Sequence, residues 1–256
     1  MHFPIRVAWC LLLVCAGVAG PAHAERTDVE VRVLARGAKF LGGYTAPVRV
    51  VLSDADTGEI LVRGQTSGST GDTRLIMDAG RKPGGKVSTA DSALFRTTLD
   101  LDGPRRVTAS VTGPLGQPQA ITTATSTQWI LPGRHLTAGD GWLLELPGLI
   151  VDLASPVAYQ WIKTGTNVPV RAGVTMLCGC TISAHGPWRV ADTEVELHVT
   201  VDGGALRRYP LRFDPDSGLF GADIPVERSG LHELEVRAWM GPSNNAGVAR
   251  TAFFVR

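Results

Sequence analysis

The sequence predicts an all-β protein built from antiparallel β-sandwiches. Three observations favour this fold class. Apolar and polar residues alternate at every second position, turn-forming residues are plentiful, and no segment has the apolar period of an amphipathic helix. The 256 residues include 30 glycines and 16 prolines, which suit the turns between many short strands.

The N-terminal 24 residues are predicted to form a cleaved secretory signal peptide. Arg6 supplies positive charge, an apolar run follows, and Ala22-His23-Ala24 has the small-x-small form of a cleavage site before Glu25. The apolar run is shorter than the roughly 20 residues needed to span a bilayer, and no later run approaches that length. We therefore expect an exported protein, in a periplasm or secreted, without membrane insertion.

The charge distribution limits the classes of partner. The chain has 25 basic and 24 acidic residues, which are interspersed and give a formal net charge of +1. Nucleic-acid binding usually leaves a cluster of lysine and arginine, and no such cluster is present. The motifs of nucleotide-binding loops, zinc proteases and α/β-hydrolases are also missing from the sequence. The sequence therefore predicts a protein that binds rather than an enzyme.

Alternation locates individual strands and loops. Residues 29–33 place three valines on one face of a strand. Residues 194–202 alternate in the same way and run into Asp202-Gly203, a common hairpin dipeptide. His198 falls on the polar face of that strand, where we expect a solvated histidine. In contrast, residues 78–91 are rich in glycine, lysine and proline, and are expected to form a mobile loop.

An internal repeat indicates how the strands are organised. The segment SALFRTTLDLDGPRRVTASVTGP from Ser92 shares its pattern with SGLFGADIPVERSGLHELEVRAWMGP from Ser217: a phenylalanine, a strand, a glycine turn, a second strand and a closing Gly-Pro. This pattern resembles the late hairpin of bacterial immunoglobulin-like and fibronectin-type modules. The resemblance implies two tandem immunoglobulin-like antiparallel β-sandwich domains, at residues 26–136 and 139–256, with a hinge at residues 137–141.

The segment TMLCGC holds the only cysteines beyond the expected signal peptide. Cys178 and Cys180 are in phase with Met176 and the preceding valines, so both fall on the predicted core face of a strand. Cα atoms two residues apart in a straight strand lie about 6.5–7 Å from each other, at the upper end of the disulfide range. Gly179 can bend to positive φ and bring the two sulfurs together.

Three chemical states of this segment remain open. The thiolates of Cys178 and Cys180, the thioether of Met176 and the imidazole of His185 form a ligand set suited to copper or zinc. In an oxidising compartment the cysteines would instead pair as a disulfide or redox couple. Such a small ring stabilises little through loop entropy, which favours another use. Buried inert thiols are the third state.

Tryptophans supply the other candidate site. Trp129 and Trp142 flank the expected hinge, and Trp188 closes the cysteine loop. Tryptophan is enriched in binding hot spots, so these residues are a candidate binding surface for a protein or polysaccharide partner. The alternative is that they pack in the core and the domain interface.

Together these features predict an exported, non-catalytic binding or accessory protein with a soft-metal, copper-like site. One alternative is a structural or adhesive module pair with a Cys178–Cys180 disulfide. Another is a non-catalytic partner of an exported enzyme.

Overall fold

The computed structural model describes residues 23–43, 47–78 and 85–256. Residues 1–22 of the expected signal peptide lie outside the described residues, so its cleavage stays a prediction. Within the described part of the chain, no helix is long and apolar enough to cross a membrane.

The first half of the chain forms two sheets. Their strand orders are β4-β1-β7 and β3-β2-β5-β6, and all pairs are antiparallel except β1 with β7. A short helix and a 3-10 turn complete this half. The elements are β1 (Glu25–Ala35), β2 (Arg49–Asp54), β3 (Ile60–Gln65), α1 (Thr73–Met77), β4 (Phe95–Leu101), β5 (Arg105–Gly113), the 3-10 turn Pro118–Ala120, β6 (Thr122–Ile130) and β7 (Trp142–Leu146).

The second half forms two further sheets, ordered β13-β14-β10-β8 and β12-β11-β15-β16-β9. The chain is therefore all-β with an immunoglobulin-like antiparallel β-sandwich architecture, which confirms the predicted fold class. The elements are β8 (Leu149–Ser155), β9 (Trp161–Ile162), β10 (Thr166–Met176), the 3-10 turn Val190–Asp192, β11 (Thr193–Val201), β12 (Arg207–Pro210), β13 (Arg212–Asp214), β14 (Leu219–Val226), β15 (Gly230–Met240) and β16 (Asn245–Val255).

The two copies of the internal repeat occupy equivalent places. The first copy supplies β4 and β5, and the second supplies β14 and β15. β4 pairs with β1 as β14 pairs with β10, while β5 and β15 each lie between two other strands of the opposite sheet. Ten of the aligned apolar residues are buried: Leu99, Leu101, Val107, Ala109 and Val111 in the first copy, and Ile224, Val226, Leu234, Val236 and Ala238 in the second.

The expected boundary between the halves differs from the observed strand pairing. The segment from Trp142 was expected to start the second sandwich, in a domain beginning at residue 139. Instead it forms β7, which pairs in parallel with β1 from Val31↔Trp142 to Ala35↔Leu146. The change from one half to the other falls at Pro147-Gly148: β7, before this dipeptide, pairs with β1, whereas β8, after it, pairs with β10. Alternation continues across both strands, so the sequence pattern does not mark the change. The division into two domains stays a prediction.

The expected mobile loop at residues 78–91 is wrong for its later part. Val87 and Ser88 are buried, and Val87 packs in a small apolar cluster on the outer side of the β4-β1-β7 sheet. The carboxylate of Asp140 fixes this segment by accepting hydrogen bonds from the backbone N–H of Val87 at 3.0 Å and of Ser88 at 2.9 Å. Residues 79–84 lie outside the described residues. The other members of the cluster are Leu34, Phe40, Ile76 and Ala93.

Beside this cluster, β1 carries a buried ionic group. Glu30 accepts a hydrogen bond from Arg32 at 2.8 Å and two from Arg96, at 3.0 and 2.6 Å. Burial raises the pKa of Glu30, but the hydrogen bonds and charges of the two guanidinium groups outweigh it, so the net pKa lies below the ordinary value. At pH values where the Glu30 carboxylate is ionised in both the folded and the unfolded state, it therefore stabilises the fold.

Replacing this carboxylate should alter acid stability. Because the folded-state pKa is lowered, the stabilisation by Glu30 is present above about pH 4.5 and is lost as pH falls through the folded-state pKa. We expect Glu30→Gln to lower the free energy of unfolding at pH 7 by about 3 kcal/mol, since it leaves buried Arg32 without its charge partner. Urea unfolding between pH 3 and 7 measures this loss, which should shrink in acid. The exposed control Glu194→Gln should change little, and an equal loss at all pH values would contradict the prediction.

Candidate functional site

The cysteine segment forms a tight hairpin at the end of β10. The backbone N–H of Gly179 donates to the Met176 carbonyl at 2.8 Å, and the N–H of Met176 donates to the Cys180 carbonyl at 3.0 Å. Gly179 has φ of 76°, as the sequence predicted for a bend at this position. Cys178 and Cys180 are joined by a disulfide, with their Cα atoms 5.4 Å apart.

The expected metal ligands are only partly brought together. Met176 and Cys178 are buried, whereas His185 lies on the exposed loop beyond the hairpin. While Cys178 and Cys180 are bonded to each other, they are not thiolate ligands. In the described ranges, no group of three or more histidine, cysteine, aspartate or glutamate residues has the arrangement to hold a metal ion. Copper or zinc binding by this set stays a prediction.

The expected tryptophan surface needs correction. Trp142 and Trp188 are 4% and 8% exposed, so neither belongs to a binding surface in this conformation. Trp142 is buried because β7 lies in the first-half sheet, and the indole N–H of Trp188 donates to the Gly37 carbonyl at 2.9 Å. Trp129 is 61% exposed on β6, with the guanidinium of Arg106 5.9 Å from its ring centre.

Trp188 therefore belongs to a contact region between the two halves, called the joint below, and Asn245 is another polar residue of this joint. Asn245 is fully buried. Its side-chain oxygen accepts from the backbone N–H of Gly148 at 2.9 Å, and its amide nitrogen donates to the Arg36 carbonyl at 2.9 Å. One side chain thus links the start of β16, the connection between β7 and β8, and the turn after β1.

A groove that the sequence analysis did not find lies on the outer face of β11, β15 and β16. It encloses about 590 Å³. Tyr159 and Leu206 line it and are exposed, and Tyr159 has φ of 59° while its backbone N–H donates to the Ala252 carbonyl at 2.7 Å. This hydrogen bond fixes the segment between β8 and β9 across the face of the sheet. The remaining lining residues are Ala158, His198, Thr200, Glu233, Leu234, Glu235, Arg237, Arg250, Thr251 and Ala252.

Charged side chains on the groove floor are mostly paired with each other. Glu235 accepts hydrogen bonds from Arg237 at 2.5 Å and from Arg250 at 2.6 Å. The Arg237 hydrogen bond is the main cause of a lowered pKa for Glu235; partial burial opposes it, and Arg250 adds to the lowering. Glu235 and its two arginines therefore form a fixed charged group on the floor.

His198 corrects a further expectation. It was predicted to be solvated, yet its side chain is 4% exposed. Its Nε2 is hydrogen-bonded to Glu196, and this bond is the main cause of a lowered pKa for Glu196. Nδ1 of His198 is buried and has no hydrogen-bond partner among the described residues. Alternation placed His198 on the correct face of β11 but did not show that neighbouring side chains cover that face.

No protein-family model matches the chain, and no curated protein matches it. The chain is similar to fibronectin(III)-like modules of CbhA from Clostridium thermocellum, with 14% identity, 90% of this chain and 94% of that chain covered, and a TM-score of 0.29. It is similar to the chicken interferon gamma receptor alpha chain, with 8% identity, 90% and 98% covered, and a TM-score of 0.31.

A third similar structure contains the titin domains Z1Z2, with 14% identity, 91% of this chain and 89% of that chain covered, and a TM-score of 0.24. The strand pairings of the chain itself define its fold as an immunoglobulin-like β-sandwich.

The disulfide should make only a small contribution to global stability. Cys178 and Cys180 close a loop of about three residues, for which loop entropy gives below about 2 kcal/mol. We expect the double variant Cys178→Ser, Cys180→Ser to fold and to lose no more than that in urea unfolding. Wild-type protein treated with a dithiol reductant is the matched control and should behave like the variant. A loss of more than about 2 kcal/mol in the reduced wild type would contradict the prediction.

The joint should depend strongly on Asn245. Asn245→Ala leaves the Gly148 N–H and the Arg36 carbonyl without their partner in a buried place, so we expect a loss of about 3 kcal/mol in the free energy of unfolding. Asn167→Ala, at an exposed position of β10, is the control and should change stability by less than about 0.5 kcal/mol. Equal urea-unfolding midpoints for the two variants would show that the joint does not depend on this amide.

Proposed function

We propose that the protein is an exported, non-catalytic binding module that holds a protein or polysaccharide partner in the groove between Tyr159 and Leu206. The observation that carries this proposal is the combination of a concave, charged floor with an exposed apolar rim on one sheet face. Binding sites commonly combine apolar walls with a few fixed polar groups that orient the ligand.

Exposed apolar side chains support this choice of face. Trp161 is 60% exposed beside the groove and stacks on Phe254 with ring centres 4.8 Å apart. Trp239 lies on the same face of β15, opposite Glu194. Large aromatic residues next to polar groups are typical of the energetic centre of binding surfaces. Five exposed large apolar residues belong to the second half: Val157, Tyr159, Trp161, Leu206 and Trp239.

A non-catalytic role is supported by the pairing of the floor charges. Glu235 lies between two guanidinium groups on the floor, and Glu196 beside the floor is hydrogen-bonded to His198, so the pKa of each carboxylate is held below its ordinary value. An acid–base catalyst at neutral pH would instead need a carboxylate pKa raised towards 7. The lowered pKa values of Glu196 and Glu235 favour positioning of a ligand over proton transfer.

The Cys178–Cys180 disulfide favours the structural or adhesive form of this function over a copper-like site. Disulfides persist mainly in oxidising compartments, which supports export together with the predicted signal peptide at residues 1–24. In this proposal the joint at Trp188 and Asn245 holds the two halves in contact while the groove binds the partner.

Site-specific photo-cross-linking tests the proposal. A benzophenone amino acid in place of Leu206 should give a discrete adduct in the cells that naturally make the protein. The matched control carries the same benzophenone amino acid in place of Ile60. Ile60 is 44% exposed and Leu206 is 46% exposed, but Ile60 lies far from the groove. Protease digestion of the adduct separates a protein partner from a polysaccharide. No adduct at position 206, or equal adducts at both positions, would reject the groove as the binding site.

A further inference from the structure

We propose that the groove takes a partner segment that carries a lysine or arginine side chain, with its cation placed against Glu233. The inference rests on the proposed function, because it assigns a ligand chemistry to the same groove. It selects a basic peptide segment of a protein partner over a polysaccharide.

The first support is the charge balance along the groove floor. Two carboxylates and two arginines line the groove, but the charges are unevenly placed, because Arg237 and Arg250 both lie against one carboxylate, Glu235. In contrast, Glu233 accepts a hydrogen bond from the hydroxyl of Thr200 at 3.2 Å and forms no ion pair with any basic residue in the part of the chain that the structure describes. Its negative charge is therefore available to a ligand.

The position of Glu233 in the sheet explains why its charge is not balanced from within. Rows of side chains run across β11, β15 and β16 on this face. One row is His198–Glu235–Arg250, and the next is Thr200–Glu233–Ala252. β16 thus places the guanidinium of Arg250 beside Glu235, but only the methyl group of Ala252 beside Glu233. No cation reaches Glu233 from its cross-strand neighbours.

The surroundings of Glu233 suit an organic cation on an aliphatic stem. The ring of Tyr159 and the side chain of Leu206 line the same groove, together with Ala158 and Ala252. Apolar walls reduce screening and strengthen an ion pair, and an aromatic ring attracts a cation over its face. The methylene stem of lysine or arginine packs on aliphatic groups while its charged end reaches a carboxylate. A neutral sugar lacks a charge to complement Glu233.

Short charged peptides test the inference on the purified full chain. Fluorescein-labelled tetralysine should bind, as measured by fluorescence anisotropy, while tetraglutamate and the neutral sugar cellotetraose should not. We expect Glu233→Gln to weaken tetralysine binding at least tenfold. Tyr159→Asn should weaken it severalfold, since asparagine tolerates the positive φ at this position but lacks the ring. Glu194→Gln, an exposed carboxylate on the same sheet face, is the matched control and should bind tetralysine like wild type.

In the experiments with purified protein, two results would overturn the inference. One is tetralysine binding that is absent or is equal in wild type and Glu233→Gln. The other is cellotetraose binding that is lost in Tyr159→Asn but kept in Glu233→Gln. The second result would leave the groove as a binding site and reject only its proposed ligand, and a partner cross-linked at position 206 but indifferent to Glu233→Gln would do the same. Thermal unfolding of each variant, expected at the wild-type midpoint for the exposed Glu233, separates loss of binding from loss of fold.

Discussion

The parallel pairing of β7 with β1 is the constraint on which much of the architecture depends. Because β7 lies beside β1 until Leu146, the chain has only Pro147-Gly148 in which to leave the first pair of sheets before β8 begins. The backbone N–H of Arg36 also donates to the Leu146 carbonyl at 2.8 Å, which holds the turn after β1 at the same place. A connection this short brings loops of the two halves into contact.

The same strand pair organises the polar interior of the first half. Gly141 has φ of 65°, and a Cβ atom there would lie 2.5 Å from the carbonyl oxygen of Glu30, so only glycine allows this approach. Asp140 lies one residue earlier, and its carboxylate accepts hydrogen bonds from the backbone of residues 87–88. Its backbone carbonyl accepts a hydrogen bond from the Arg32 guanidinium at 3.3 Å. The turn just before β7 therefore links the buried ionic group of β1 to residues 87–88.

In the second half, a divided first strand creates the groove. β8 pairs with β10 in one sheet, and β9 pairs in parallel with β16 in the other. The chain between them must cross from one sheet to the other, and this crossing places Tyr159 over the outer face beside Phe254. The wall of the groove is thus a consequence of strand topology, whereas its floor follows from the alternation of β11, β15 and β16.

The sequence by itself determined the fold class, the equivalence of the two repeat copies and the bend at Gly179, because these depend on local period and backbone freedom. It also determined which side chains share a strand face. Only the tertiary structure decided what covers each face. Trp142, Trp188 and His198 are buried in it, and Val87 packs in a small apolar cluster. The groups that cover each face come from parts of the chain that are distant in the sequence. For example, β7 lies next to residues 87–88, and the segment that contains Tyr159 crosses over β16. Periodicity within one strand carries no information about those partners, so the groove and the joint appear only when the chain is folded.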